Sequence, residues 1–304
     1  MTPIHKKAIL SLILATTIWG AAAPIFKWSL ENVPLFSLAF LRFGLASLIL
    51  WPLVRKNLSI AQSDRWAVVR IGLLGVTLNV FFFLAGLKLT LAINAAIITA
   101  TIPIFTMAAA ALYLREKLTW HIIFGALLTS LGILVIFAQN LLTFGISAHV
   151  AGDVLLLLAA WSWVGYEITS KKLLPRYSPL TLTFYSFVIG AITFLPFALG
   201  EYATNPLWPQ LLTFRGYFGI IYGAVFSSAA AYFLWEWGLS KLPASESSLF
   251  FHLNPIAGVL VAVPLLGESM TVPFAIGAAL VFSGVFLAEW HNRRSPTNLL
   301  QDRK

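Results

Sequence analysis

The chain has 304 residues, 59% of them hydrophobic and 10% charged, with 20 Lys and Arg against 11 Asp and Glu for a formal charge of +9. A water-soluble domain carries roughly 25% charged residues, so this chain cannot clothe a water-facing surface, and lipid must cover most of it. It has no Cys, hence neither disulfides nor thiolate metal sites, and its basic residues lie at helix ends instead of in the contiguous stripe that nucleic acid requires.

About 20 apolar residues cross the roughly 30 Å hydrocarbon core as a helix. Hydropathy predicts spans near 8–30, 34–54, 67–87, 91–114 and 119–138, then 151–170, 179–199, 216–238, 243–266 and 271–290. Ten spans and short loops use up the chain and leave no room for a soluble catalytic domain. The first span follows Lys6 and Lys7, exceeds a signal-peptide core and ends without a persuasive cleavage site, so it reads as a retained helix. With the N-terminus in the cytoplasm, the inner segments hold sixteen Lys and Arg, while the outer ones hold only Lys27, Lys88 and Arg215. The positive-inside rule then makes both termini cytoplasmic in a multi-pass protein of the inner (plasma) membrane.

The chain also repeats itself. A shift of 152 residues carries Pro103 onto Pro255, Gly86 onto Gly238, Glu116 onto Glu268, Thr119 onto Thr271, Gly125 onto Gly277 and Gly132 onto Gly284. In the first two spans of each half the shift is 144, aligning Trp19 with Trp163, Lys27 with Lys171 and Pro52 with Pro196. Each copy has five spans, an odd number, so the copies run through the membrane in opposite senses. The organisation expected is a first repeat at 1–138, a connecting loop at 139–150, a second repeat at 151–290 and a basic cytoplasmic tail at 291–304. Inverted repeats of this kind are characteristic of secondary transporters, with the site at the repeat interface.

These residues resemble the EamA family of the drug/metabolite transporter superfamily. The likeness rests on Trp19-Gly20, Arg42, and Leu114-Arg115-Glu116-Lys117-Leu118-Thr119 leading into Gly125 and Gly132. Its second copy is Leu266-Gly267-Glu268-Ser269-Met270-Thr271 leading into Gly277 and Gly284. The resemblance implies ten helices with cytoplasmic termini, alternating access, and often export of amino acids or related metabolites. The polar stretch from Ser245 to His252 departs from the family's more apolar pattern.

Arg42 lies eight residues into the second span, about 12 Å deep at 1.5 Å per residue. A cation there costs roughly 2.5–3.5 kcal/mol on insertion scales and faces a cavity or a partner. Guanidinium matches a planar carboxylate with two hydrogen bonds, so Arg42 either clamps a substrate carboxylate or is satisfied structurally by neighbouring helices. Pro103 and Pro255 each remove a backbone donor, and paired interruptions in corresponding helices point to a transport site. Trp19, Trp163, Phe40, Phe105 and Phe250 lie deep enough to line a cavity, and ordinary helix packing accounts for them as well. Asn94 is a further candidate contact. His252 either titrates and couples protons or bonds neutrally to the local backbone. Glu167 and Glu236 are expected near the inner interface in reach of water, with Glu167 and Lys171 at the i,i+4 spacing of a helix ion pair.

Zinc, nucleophile-elbow and phosphate-loop motifs are absent, which argues against a membrane-embedded enzyme or an ATP-driven pump and implies no metal or cofactor. A lipid-binding scaffold would not explain two copies meeting around Arg42. The expected partners are the lipid bilayer and a small-molecule substrate. One buried cation suits a monoanion or zwitterion better than a phosphate ester. Amino-acid export is the leading expectation and drug or xenobiotic efflux the alternative. Direction of transport, coupling ion and oligomeric state are not written in the residues.

Overall fold

The computed structural model describes residues 3–114, 148–268 and 270–292, with scattered positions between 120 and 142. All regular structure among them is helical. Among the described residues nine continuous helices are defined: α1 (Pro3–Ser29), α2 (Leu35–Val54), α3 (Gln62–Leu89), α4 (Ala92–Tyr113), α5 (Ala148–Leu173), α6 (Pro179–Thr204), α7 (Phe214–Lys241), α8 (Ala244–Leu266) and α9 (Val272–Asn292). The first eight are long and apolar enough to cross a membrane, and α9 contains the shorter apolar stretch Val272–Gly284. They match the hydropathy spans to within a few residues, because in lipid every backbone donor must bond within its own helix. The expected span at 119–138 is described only at scattered positions, and the join at 139–150 and the tail at 291–304 fall largely outside the described residues.

Local chemistry sets several boundaries. Ser178 caps α6 by accepting the Thr181 N–H at 3.1 Å, and Pro179 occupies the first turn, where its missing donor costs nothing. Gly267 ends α8 at φ +66°, with its N–H on Val263 O, a left-handed turn that glycine takes without strain. Leu48, Ile192 and Leu260 point outward, as residues covered by acyl chains would.

The packing shows the same two shifts that the sequence does. Helix α1 lies against α7 and α8, α5 lies against α3 and α4, and α2 packs along α6. At the α3–α5 crossing, a Cβ on Gly86 would come within 2.8 Å of Leu156 Cγ. At the α1–α7 crossing, one on Gly238 would come within 2.5 Å of Leu12 Cγ. Gly86 and Gly238 are 152 residues apart, and Leu12 and Leu156 are 144 apart. One contact thus occurs twice, and its closeness requires glycine.

The helix irregularities recur too. Helix α3 is π-helical over Leu73–Leu78 and α7 over Tyr222–Ala230. Wider turns release carbonyls to outside donors. Gly75 O accepts Tyr232 Oη at 2.9 Å, and Ser227 O, 152 residues on, accepts Trp19 Nε1 at 2.9 Å. Helix α4 loosens at Ala100–Thr101, just before Pro103, and α8 tightens to 3₁₀ over Leu249–His252, just before Pro255.

Lysines tie two helix ends. Lys27 Nζ donates to Thr90 O at 2.6 Å and to Glu268 Oε1 at 2.9 Å. The Glu268 carboxylate also accepts the Ala92 and Ile93 N–H groups at the start of α4, where the helix dipole favours an anion. Lys171 Nζ donates to Leu239 O and Leu242 O, both at 2.6 Å. Lys171 therefore does not form the expected ion pair with Glu167: the open carbonyls at the end of α7 take its ammonium instead.

Candidate functional site

Between α1–α5, α7 and α8 lies a cavity of about 80 Å³, below the roughly 300–1,000 Å³ of ligand-filled pockets. Its wall includes Trp19, Phe26, Arg42, Asn79, Phe83, Trp163, Ser227, Tyr232, Phe251 and Asn254. The aromatic groups interlock: Trp19 stands edge-on to Trp163 at 4.9 Å and to Tyr232 at 5.2 Å.

Arg42 is 4% exposed. Its Nε donates to Ser228 Oγ at 2.6 Å, and its Nη2 to Ser227 Oγ at 3.1 Å and Ser227 O at 3.3 Å. The guanidinium carbon sits 4.7 Å from the centroids of both Phe26 and Phe43, a favourable placement for a cation. Among the described residues it has no carboxylate partner, and Nη1 makes no hydrogen bond. Two groups on the cavity residues are buried without a partner: the Trp163 indole N–H and Asn254 Oδ1. Buried polar groups in proteins are almost always bonded. The Trp163 donor and the Asn254 acceptor therefore leave hydrogen-bonding capacity unused on residues of the cavity wall.

Of the residues singled out from sequence, Arg42, Trp19 and Trp163 line this cavity and the others lie elsewhere. Phe40 and Phe250 pack against the hydrophobic core, and Phe105 stands edge-on to the outward-facing Trp161 at 5.9 Å. Asn94 is buried beside Thr90 and Asp153, donating to Thr90 Oγ1 and Asp153 Oδ1 at 3.1 Å each. His252 is partly buried within the 3₁₀ turn, and Pro103 and Pro255 follow the irregular turns without lining the cavity. Ser227, Ser228, Asn79, Tyr232, Phe251 and Asn254 were not anticipated. The adjacent serines within an apolar span were the one signal available for them.

The acidic residues require a correction. Glu167 and Glu236 do not reach water: both are 0% exposed, enclosed where α4, α5 and α7 meet. Tyr166 Oη donates a short hydrogen bond to Glu236 Oε1, and Ser170 Oγ is 2.8 Å from both Glu236 oxygens. Thr106 Oγ1 donates to Glu167 Oε2 at 2.9 Å, while Glu167 Oε1 is buried without a partner.

Stacked apolar helices enclosing a small polar-studded cavity define a multi-pass membrane protein. The model of the EamA-like transporter family matches the chain twice, over residues 6–138 and 150–290, and the chain belongs to that family of membrane transporters. It is 29% identical to an uncharacterized transporter of Archaeoglobus fulgidus, over 93% of this chain and 98% of that one. An uncharacterized transporter of Bacillus subtilis is 31% identical, with 91% of each chain covered. A probable terminal-alkyne amino-acid exporter of Streptantibioticus cattleyicolor is 26% identical, with 95% of each covered. A crystal structure at 19% identity shares the fold with a TM-score of 0.69, covering 95% of this chain and 98% of that one.

Proposed function

We propose that the protein is a secondary transporter that exports amino acids or closely related zwitterions by alternating access. In this reading ten helices form two inverted five-helix repeats in the inner membrane, with both termini in the cytoplasm. The observation that carries it is Arg42, a buried cation on the cavity wall with no carboxylate to neutralise it among the described residues. A substrate carboxylate supplies that partner, received by Nη1 while Ser227 and Ser228 hold the opposite edge of the guanidinium. The substrate ammonium then lies among aromatic faces, which attract cations, within reach of Asn254 Oδ1. The relative named as a probable amino-acid exporter agrees with this substrate class.

Two further features support the topology. The ion pairs Lys27–Glu268 and Arg215–Glu31 join residues that the charge count assigns to the outer face, while Arg176–Asp64 and His5–Glu246 join residues assigned to the inner one. The paired crossings at Gly86 and Gly238 follow the spacing of two repeats. The cavity's small volume corresponds to a closed shape, which must widen toward one side to admit a substrate.

The reading is tested by efflux of a labelled amino-acid mixture from proteoliposomes holding the protein or its Arg42→Ala variant. Selective efflux that the folded variant loses supports the assignment. Equal efflux from both makes Arg42 structural and leaves an amino-acid exporter. If no amino acid leaves, the aromatic wall favours the second reading, efflux of an apolar xenobiotic.

A further inference from the structure

Glu167 and Glu236 have no part in the substrate site, and their surroundings are unusual. Both are fully buried, and neither has a cation within ion-pair distance among the described residues. Lys171, the nearest lysine on α5, is engaged by the Leu239 and Leu242 carbonyls. An isolated ionised carboxylate is very costly to bury, and such a group neutralises instead.

The hydrogen bonds around Glu236 accommodate a proton as well. Three O···O contacts surround Glu236, one from Tyr166 and two from Ser170. A phenol and an alcohol bring one hydrogen each. Ser170 shares its single hydrogen between the two Glu236 oxygens, and a proton on Glu236 would let the carboxyl donate to Ser170 Oγ in return. Glu167 Oε1, buried and unpartnered, is a second oxygen on which a proton can reside.

Position links this pocket to the cavity. Trp163 and Glu167 are one turn apart on α5, and Tyr232 and Glu236 are one turn apart on α7; in each pair the aromatic residue lines the cavity. Helix α7 also carries Ser227 and Ser228, which hold Arg42. Motion of α5 against α7 would change the substrate contacts and the enclosure of the carboxylates together.

We infer that Glu167 and Glu236 form a proton-binding site whose occupancy is coupled to substrate movement. This inference rests on the transporter reading and names its coupling ion. The bound species is a proton on a carboxylate oxygen, taken up from one side of the membrane and released to the other when α5 and α7 move. The ionisable groups around the pair are Tyr166 and Lys171 on α5 and Tyr232 on α7; α4 offers Thr106. On the other helices packed against α7, α2 carries Arg42, bonded to Ser227 and Ser228, α8 carries Glu246 and His252, α6 carries Tyr185, bonded to Leu58 O, and α1 carries His5, paired with Glu246.

Two measurements test it. In voltage-clamped proteoliposomes under a gradient of one pH unit, coupling of one proton per substrate sets a tenfold steady-state concentration ratio of the transported amino acid, since one unit corresponds to a factor of ten. The Glu236→Gln and Glu167→Gln variants should bring that ratio to about one, whereas Glu246→Gln should keep it. A wild-type ratio of one, with amino acids still moving, overturns the inference and leaves the exporter reading intact. The second measurement needs no substrate: the infrared carbonyl stretch of a protonated carboxyl in the lipid-embedded wild-type protein at neutral pH. The band should be present, and a folded wild-type protein without it overturns the inference even if the substrate assignment is wrong. Should the glutamine variants fail to fold, the wild-type spectrum and ratio still decide.

Discussion

Two polar pockets share this bundle, and each holds what the other lacks. Among the described residues, the central cavity has a buried guanidinium and no acid, while the pocket where α4, α5 and α7 meet has two buried carboxylates and no cation in contact. In most proteins such groups would be drawn together as a salt bridge, because an uncompensated buried charge is destabilising by several kcal/mol. Keeping them apart makes sense when each awaits a partner from outside: an anionic group in one case, a proton in the other. Stability alone would favour the pairing; a transport cycle favours the separation.

The sharpest way to break this contrast is Arg42→Ala. Hydrogen bonds to charged groups contribute about 1.5–3 kcal/mol, so amino-acid efflux should fall roughly 10- to 100-fold, while the thermal midpoint of the purified protein changes little. A large loss of stability without a specific transport defect would mean that Arg42 is held for packing. The acidic pocket should respond in the opposite manner. Glu236→Ala leaves the buried Tyr166 and Ser170 hydroxyls without their acceptor, at a cost of roughly 1–3 kcal/mol, read as a lowered unfolding midpoint in detergent.

Smaller changes sharpen the picture. Ser228→Ala removes the 2.6 Å acceptor of Arg42 Nε, a bond to a charged group of about 1.5–3 kcal/mol; the substrate feels only the loosened orientation of the guanidinium, so affinity should weaken several-fold without abolishing transport. Tyr166→Phe removes one donor to Glu236 at a cost of about 1 kcal/mol. It should shift the pH at which the infrared carboxyl band disappears and leave substrate affinity at neutral pH as it was. If Ser228→Ala moved the carboxyl band, or Tyr166→Phe moved affinity alone, the two pockets would not be the separate sites described here.

The spans were legible because lipid imposes a single demand, continuous apolar helix, that single-chain hydropathy measures directly. Arg42 stood out for a related reason: a charge at mid-span is conspicuous wherever it points. What hydropathy cannot supply is direction around the helix. In a bundle whose helices are apolar on every side, core and lipid faces look alike, so Phe40, Phe105 and Phe250 were as credible for the cavity as Trp19 and Trp163. The same blindness misread Glu167 and Glu236. Their closeness to helix ends suggested access to water, but access depends on neighbours from α4, α5 and α7 that no local window contains. Lys171 was misread because the i,i+4 rule ignores competition from the exposed carbonyls of another helix.

Arg42 also has a history in time. Its hydrogen-bond partner Ser228 lies 186 residues further along the chain. At a synthesis rate of roughly 5–20 residues per second, α2 exists for about 10–40 s before α7 has been made. Throughout that interval a guanidinium destined for the membrane interior has neither of its serines. The second half of the chain therefore supplies, late in synthesis, the two serines that bond a charge laid down early in the first half.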